Sequence, residues 1–322
     1  MRDHPPISPL PAGTTRPFWS VMIPTREPHP DYLRRTLASV LEQDPGPEAM
    51  QIALVDDCSS RVDPRQSLRA DARARVGWSR QARHVGIGRN WNTCIEQARG
   101  QWVHILHQDD LVLPGFYLRL RSGIDASPSA GAAVCRDVVI DADGRRVGGQ
   151  RLLRPTPGIV EDWIEHVFVG LALRASALVV KRSTYEGLDG FRLDLQYALD
   201  WDMWKRIAAA VPLWYTPDEL ACYRRHADSA SVGFQRRGAN IAEIGRSIAL
   251  SESLLPPELA AATSRRARQN YTRYATDLAW RALAQRDLQS ALAQLCAARR
   301  LTSTLAVAQA LGRLARARAL SR

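Results

Sequence analysis

Short apolar runs alternate with amphipathic segments in the chain up to Ile124. Four runs have the length and composition of buried β-strands, the third being the weakest: residues 18–23, 51–55, 76–79 and 102–106. Apolar residues at spacings of three and four predict helices over residues 32–41, 66–75, 92–99 and 116–124. Asp31 is the predicted N-cap of the first helix. This alternation predicts an α/β fold with a mostly parallel central sheet flanked by helices.

The pattern changes after Ile124. An apolar run over residues 132–140 leads into Asp141-Ala142-Asp143-Gly144, a hairpin turn signal, so residues 145–154 are the predicted return strand. The same criteria predict further elements: a helix over 161–168, a strand over 175–180, a helix over 198–207 and strands over 213–215 and 220–223.

The pattern of the chain from Arg236 onward is helical. Alanine-rich segments carry apolar residues at helical spacing over residues 241–254, 267–286 and 288–299. The last two predict a helical hairpin that resembles one tetratricopeptide unit. A final segment, 305–320, places arginines beside leucines. That pattern fits a helix on an anionic membrane surface, and it fits a solvated arginine-rich helix equally well.

These patterns predict three regions. Residues 1–17 are rich in proline and lack the apolar core of a signal peptide, so a flexible N-terminal tail is expected. Residues 18–235 hold the strand and helix alternation and form the predicted α/β domain. Residues 236–322 form the predicted helical, arginine-rich C-terminal extension.

The composition is that of a soluble globular protein, with 45% hydrophobic and 24% charged residues in a chain of 322. No apolar run approaches the ~20 residues that a membrane-spanning helix needs. The five cysteines are scattered and include no C-x-x-C pair, which indicates a reducing compartment and argues against a zinc site. We therefore expect a cytoplasmic protein, with peripheral contact at the inner face of the membrane through the C-terminal helices.

The formal net charge of +11 is concentrated near one end of the chain. Residues 236–322 contain 15 arginines and 5 acidic residues, a net charge of +10, whereas the residues before them sum to +1. A basic segment can bind nucleic acid, but this one lacks interleaved aromatic residues and the body is neutral. Nucleic-acid binding through the tail is therefore kept only as an alternative, and no nucleic-acid partner is predicted.

Pairs of acidic residues follow two of the predicted strands. Asp56 and Asp57 follow the second strand, and Asp109 and Asp110 follow the central one. Ligands of α/β sheets bind at the carboxyl ends of strands. Adjacent carboxylates repel each other and favour a cation, and their hard oxygens suit Mg²⁺ or Mn²⁺ on a diphosphate. A solvated Asp-Asp turn explains one such pair equally well, but the repetition favours a binding site.

Five ordered segments carry a family resemblance: Val21-Met22-Ile23-Pro24-Thr25, Val55-Asp56-Asp57-Cys58-Ser59, Gly86 with Asn92 and Ala98-Arg99-Gly100, Leu106-His107-Gln108-Asp109-Asp110, and Asp200-Trp201-Asp202-Met203-Trp204 with Tyr223-Arg224-Arg225-His226 behind it. Over about residues 18 to 232 the chain resembles family 2 glycosyltransferases of the GT-A fold. The resemblance implies a metal-dependent, inverting enzyme. It would move a sugar from a nucleotide-diphosphate sugar to a hydroxyl of a glycan or lipid-linked acceptor in cell-surface polysaccharide synthesis. A UDP-sugar is the expected donor.

The resemblance also implies roles for individual residues. Asp200 would be the catalytic base, and Asp110 with His226 would bind Mg²⁺ or Mn²⁺. The implied nucleotide-sugar-binding residues are Pro24, Thr25, Glu27, Asp57, Gly86, Asn92 and Asp109. A carboxylate base fits the chemistry, because an acceptor hydroxyl must lose its proton as it displaces the diphosphate.

One residue departs from the family's pattern. The family's usual D-x-D motif begins with an acid, whereas this chain has Gln108 there. A nucleotidyltransferase would share the sheet and the metal-binding acids. It is disfavoured because the glycine- and Lys/Arg-rich phosphate loop that usually opens such enzymes is missing after Ile23.

Overall fold

A computed structural model describes residues 4–70, 72–161, 163–170 and 173–302 of the chain. The chain divides into two compact units, neither of which is continuous in sequence. Unit 1 comprises Met1–Trp163, Ala172–Asp194 and Arg206–His226, and unit 2 comprises Ile164–Leu171, Leu195–Lys205 and Ala227–Arg322.

The strands all belong to unit 1. They are β1 (Trp19–Thr25), β2 (Met50–Asp56), β3 (Gly77–Arg80), β4 (Trp102–Ile105), β5 (Leu111–Val112), β6 (Ala132–Ile140), β7 (Arg146–Gly149), β8 (Gly158–Val160), β9 (Leu178–Lys181) and β10 (Leu213–Arg224). The helices are α1 (Pro30–Leu41), α2 (Ile87–Gln97), α3 (Phe116–Asp125), α4 (Trp163–Val169), α5 (Arg182–Leu188), α6 (Leu199–Ala210), α7 (Ala230–Arg236), α8 (Ala239–Ser251), α9 (Pro257–Ala284) and α10 (Leu288–Leu301).

One sheet runs through unit 1 in the order β3-β2-β1-β4-β9-β6-β10-β5, with β7 on β6 and β8 on β10. The first four strands of this order are parallel, and β1 lies between β2 and β4. Val21 of β1 is paired with Ile52 on one side and His104 on the other. These three strands therefore lie side by side in the predicted parallel sheet, and their carboxyl ends share one edge of it.

The other half of the sheet is mixed. Strand β9 runs antiparallel to both of its neighbours, β4 and β6, whereas β6 and β10 are parallel. The hairpin of β6 and β7 is present as predicted. The direction of β9 could not be read from the sequence, because a short buried strand has the same apolar pattern in either orientation.

Three local predictions are wrong. The expected helix over 66–75 is a single 3₁₀ turn, Pro64–Ser67. Leu68 is its one large apolar residue, which gives a helix no apolar face to bury. The N-cap of α1 is His29 rather than Asp31, because Pro30 occupies the first helical position, where its missing N–H costs nothing. The two predicted strands at 213–215 and 220–223 form the single strand β10, which contains register shifts.

The predicted flexible tail at residues 1–17 also needs correction, because its described part lies against unit 1. Ile7 is 2% exposed. The carbonyl of Pro5 accepts a hydrogen bond of 2.8 Å from the N–H of Gly190. The carbonyl of Ser8 accepts one of 3.2 Å from Arg182 Nη2. These contacts attach residues 5–8 to the rest of unit 1. The proline content of the segment did not suggest this attachment.

Unit 2 is helical. Helices α9 and α10 pack together through Ala279, Ala291 and Leu295, which confirms the predicted hairpin. The expected boundary at residue 235 differs from the observed division, because segments 164–171 and 195–205 belong to this unit as well. The predicted helix over 305–320 lies outside the described residues. Among the residues that are described, no helix is both long enough and apolar enough to cross a membrane.

Candidate active site

The carboxylates of Asp109 and Asp110 lie in a turn directly after β4, at the shared edge of the sheet. Helix α1 supports this turn, because the buried hydroxyl of Thr36 lies 2.8 Å from the carbonyl oxygen of Asp110 and donates to it. Strand β10 supports it from another side. The backbone N–H of Arg224 donates to Asp110 Oδ1 over 2.9 Å, and its guanidinium Nε donates to the carbonyl of Asp109 over 3.0 Å.

Arg224 is itself buried, with 1% of its surface exposed. Its Nη1 donates to the carbonyl oxygens of Asp141 and Ala142 over 3.1 and 3.2 Å. One buried cation therefore joins the acidic turn to the β6–β7 hairpin turn. Sequence reasoning placed Arg224 only within a trailing motif and gave it no role.

Asp110 fits the role of a cation ligand. It is fully buried, and burial raises the pKa of its carboxyl, with the neighbouring charge of Asp109 acting in the same direction. Its Oδ2 lies 3.4 Å from His107 Nδ1, too far for a strong hydrogen bond. Ligand atoms of His107, Asp109 and Asp110 all lie within 4.8 Å of one another. Such a group of oxygen and nitrogen atoms could hold a divalent ion.

His226 was expected to be a direct metal ligand, but the structure gives it another contact. Its Nε2 lies 2.7 Å from Asp109 Oδ2, and both side chains are partly buried. Its ring also lies 5.3 Å from the ring of Tyr32. A residue that hydrogen-bonds a metal-binding carboxylate orients that ligand. The geometry thus favours His107 as a member of the ligand group, with His226 supporting Asp109.

The ends of β1 and β2 form the neighbouring part of the site. Pro24 and Thr25 are buried, and Thr25 Oγ1 donates to Asp56 Oδ1 over 3.2 Å. The N–H of Asp57 donates to the carbonyl of Thr25 over 2.8 Å. Asp56 also binds the N–H of Ser59, so it holds the turn after β2 together. Of the two acids here, Asp56 is therefore a structural residue.

Asp57 organises the chain that leads into α2. Its carboxylate accepts the N–H groups of Val85 and Gly86 over 2.7 and 3.0 Å, and its Oδ2 lies 2.7 Å from His84 Nδ1. Gly86 is the N-cap of α2 and has φ of 88°, a conformation that L side chains rarely adopt. His84 remains 55% exposed at the site, although sequence reasoning did not select it.

Glu27 connects the turns that follow β1 and β2. Its carboxylate accepts the N–H groups of Ser60 and Arg61, over 2.7 and 3.0 Å. The hydrogen bond from Ser60 is the main reason that the pKa of Glu27 falls to about 2. Glu27 and Cys58 both have positive φ, 43° and 57°, which is uncommon outside glycine and clusters at functional sites. Glu27 thus shapes the site through the backbone.

Gln108, the residue that departs from the family's D-x-D motif, contacts Arg26 in both directions. Its Oε1 accepts the N–H of Arg26 over 2.8 Å, and its Nε2 donates to the carbonyl of Arg26 over 3.2 Å. An ionised aspartate could accept but could not donate. The glutamine is therefore suited to joining the turns after β1 and β4.

Asn92 does not have the geometry expected of a nucleotide-sugar ligand. It is 2% exposed. Its Nδ2 donates to the carbonyl of Phe191 over 3.0 Å, and its Oδ1 accepts the N–H of the same residue over 2.7 Å. This paired contact fixes the 189–191 turn, so Asn92 has a structural role in unit 1.

Asp200 lies in unit 2, in the first turn of α6. It is partly buried, whereas Asp202 is 3% exposed. The charge of Asp200 contributes to the raised pKa values of Tyr197 and Tyr271, although burial of each phenol is the larger cause. The two acids of this predicted motif therefore have different surroundings.

Comparisons with known proteins identify the class. The family model described as Glycosyl transferase family 2 matches residues 20–172, which include the ends of β1, β2 and β4. The uncharacterized protein MT1568 of Mycobacterium tuberculosis is 31% identical over 226 residues, which are 66% of this chain and 68% of that protein. The chain belongs to glycosyl transferase family 2, and it is a glycosyltransferase.

One further relative covers less of the chain, and two solved structures are similar to most of it at lower identity. The succinoglycan biosynthesis protein ExoO of Rhizobium meliloti is 34% identical over 117 residues, which cover 36% of this chain and 32% of ExoO. TarS of S. aureus in complex with UDP-GlcNAc superposes with a TM-score of 0.64 at 16% identity, covering 88% of this chain and 82% of the TarS chain. The mannosyltransferase PcManGT from Pyrobaculum calidifontis, in complex with GDP-Man and Mn²⁺, gives 0.58 at 20% identity, with coverages of 98% and 84%. These structures confirm the predicted GT-A fold.

Proposed function

We propose that this enzyme transfers a sugar from a nucleotide-diphosphate donor, with a UDP-sugar the first choice, to a hydroxyl of a glycan or lipid-linked acceptor. Inversion at the anomeric carbon is part of the proposal. The observation that carries it is the Asp109–Asp110 turn, in which Asp110 is buried and which lies at the same sheet edge as Thr25 and Asp57. Cell-surface polysaccharide synthesis is the proposed context, supported by the similarity to ExoO.

Each group of residues has a proposed part in the reaction. The turns after β1 and β2, organised by Glu27 and Asp57, would bind the nucleoside of the donor. Asp110, Asp109 and His107 would hold Mg²⁺ or Mn²⁺, which stabilises the negative charge that develops on a leaving diphosphate. Asp200 would accept the proton of the acceptor hydroxyl as that oxygen attacks the sugar. A single displacement of this kind inverts the anomeric carbon.

A donor panel tests the proposal. The full-length protein is incubated with UDP-, GDP-, ADP- and CDP-sugars and Mn²⁺, and release of the nucleoside diphosphate is measured with and without EDTA. We expect release from one nucleotide class and its loss in EDTA. Formation of a nucleoside triphosphate and a sugar 1-phosphate when pyrophosphate is added would instead favour a nucleotidyltransferase. With an acceptor in hand, NMR of the product's anomeric proton would detect retention, which would exclude the proposed displacement.

A further inference from the structure

Helix α8 and the segment that carries Asp200 are joined within unit 2 by polar contacts that the family match does not cover. The matched residues end at 172, whereas Asp200 and α8 lie beyond that point. On α8, Glu243, Ser247 and Ser251 are spaced four residues apart, so they share one face of the helix. The buried apolar residues Ile244 and Ile248 lie to one side of this polar stripe.

Glu243, at one end of the stripe, binds the backbone just before α6. Its Oε2 accepts hydrogen bonds from the N–H groups of Gln196, Tyr197 and Ala198 over 2.8, 2.6 and 3.2 Å. Three consecutive N–H groups that converge on one carboxylate oxygen form an anion-binding nest. Ala198 accepts the first hydrogen bond of α6, from the N–H of Asp202 over 3.0 Å. Glu243 thus fixes the start of the helix, two residues from Asp200.

Ser247 and Ser251, at the other end of the stripe, bind Lys205 of α6. Lys205 Nζ donates to the carbonyl of Ser247 over 2.7 Å, to its hydroxyl over 2.8 Å and to the hydroxyl of Ser251 over 2.7 Å. The ammonium also lies 3.8 Å from the ring centroid of Trp201. All three ammonium donors therefore have acceptors, and α6 is held a second time, five residues after Asp200.

Aromatic contacts hold the same stretch of α6 between these two points. The indole N–H of Trp201 donates to the carbonyl of Val167 over 2.6 Å, and its ring lies 4.8 Å from that of Tyr271 on α9. The hydroxyls of Tyr197 and Tyr274 are 3.3 Å apart. The residues on both sides of Asp200 are thus attached to α8 and α9, so rotation or sliding of α6 would break several contacts together.

We propose that α8 positions the catalytic helix α6, with Glu243 as the principal positioning residue for Asp200. This inference rests on the proposed role of Asp200 as the base. Glu243 does not take part in the chemistry itself. Its carboxylate sets the backbone at the start of α6, and the orientation of the Asp200 carboxylate follows from that backbone. Small errors in the placement of a reacting group reduce rates strongly, by ~100-fold for ~1 Å.

The test compares Glu243→Ala and Glu243→Gln in the full chain with the best donor of the panel. Alanine removes the acceptor of three N–H groups, so we expect kcat to fall by roughly 10- to 100-fold, with the donor KM and the affinity for the nucleoside diphosphate with Mn²⁺ within about threefold of wild type. Glutamine keeps an acceptor oxygen in the same place and should restore most of kcat. Glu258→Ala, which removes an exposed glutamate from the first turn of α9, is the matched control and should leave kcat unchanged.

Other outcomes separate the possible failures. The positioning role is overturned if Glu243→Ala keeps kcat within twofold, or if kcat, nucleotide affinity and melting temperature all fall together. If the alanine variant does not fold, Glu243→Gln and Ser247→Ala decide the question by the same split between kcat and KM. A normal turnover of Asp200→Asn would instead reject Asp200 as the base. A wild-type protein that releases no nucleoside diphosphate from any donor would reject the proposed function.

Discussion

Asp110 combines full burial with a second carboxyl group next to it in sequence. The N–H of Arg224 stabilises one of its oxygens, yet burial still raises the pKa of the carboxyl. Burying an ionised carboxylate is costly unless a partner compensates for it. A divalent ion at this point would offset both the burial and the repulsion from Asp109. These properties support the proposed role of Asp110 as a ligand of a divalent ion.

Replacement of Asp110 tests its proposed role as a metal ligand. Asp110→Ala should reduce kcat/KM for the donor by at least ~100-fold, because a metal-bridged diphosphate stabilises the transition state by several kcal/mol. The apparent affinity for Mn²⁺, measured by titrating activity, should weaken in parallel. Asp125→Ala, which removes an exposed acid paired with Arg121, is the control. Normal turnover of the Asp110 variant would mean that another residue holds the ion.

Asp200 and Asp202 should differ in what they contribute. They are two residues apart on α6, so their side chains point about 200° away from each other. Asp200→Asn should lower kcat by ~100-fold or more while the donor KM changes little, since the amide cannot accept the proton. Asp202 is buried, so Asp202→Asn should lower the melting temperature more than it lowers turnover. If Asp202→Asn instead lowered kcat in steady-state kinetics and Asp200→Asn lowered the melting temperature, the two roles would be exchanged.

At the scale of elements, the link between α6 and α8 makes stability depend on pH. Burial lowers the pKa of Lys205 from 10.5 to about 7. Between those two values the unfolded chain binds a proton that the folded protein does not, so the free energy of unfolding should rise as the pH rises from about 7 to about 10. The pKa difference corresponds to about 5 kcal/mol. Below pH 7 both states are protonated, and this contribution to the slope disappears.

Urea unfolding at several pH values measures this slope. Lys205→Met keeps an unbranched side chain but cannot titrate, so its free energy of unfolding should rise less between pH 7 and 10 than that of wild type. The control is Lys181→Met, which replaces the other lysine of the chain, an exposed residue at the end of β9. Equal pH slopes in wild type and Lys205→Met would exclude Lys205 as the source.

The sequence predicted those elements whose signals are local. The apolar runs of β1, β2, β4 and β6 are bounded by turn residues, and both acidic pairs lie at or shortly after the ends of strands. Contacts between segments that are distant in the chain could not be predicted from the sequence. The pairing of Asn92 with Phe191 spans 99 residues, and that of Arg224 with Asp110 spans 114. The four-residue spacing of Glu243, Ser247 and Ser251 was visible in the sequence, but their partners were not.

At the scale of the whole molecule, the division into units differs from a domain boundary drawn along the sequence at residue 235. Segments 164–171 and 195–205 belong with the C-terminal helices. A break at residue 235 would remove α8 and leave Lys205 and the backbone of 196–198 without their acceptors. Helix α8 of the C-terminal region thus supplies acceptors for Lys205 and for the backbone that precedes α6.

Peripheral membrane binding remains a proposal, and it rests on the charge of the C-terminal sequence. Arg313, Arg316 and Arg318 alternate with leucines and alanines. Each basic residue near an anionic surface contributes roughly 1 kcal/mol. Replacing all three by glutamine should therefore weaken binding to phosphatidylserine vesicles by ~100-fold at low salt, as measured by cosedimentation.

The matched control for this experiment replaces three exposed arginines of α9, Arg265, Arg266 and Arg273, with glutamine. It lowers the net charge by the same amount, so it separates a membrane-binding segment from a general effect of positive charge. We expect the α9 variant to keep most of the vesicle affinity. If both variants lose the same affinity, the attraction is non-specific, and if wild type does not cosediment, the membrane proposal is wrong. Addition of salt should weaken the wild-type interaction most, because interactions between exposed charges are screened beyond ~10 Å at 0.1 M salt.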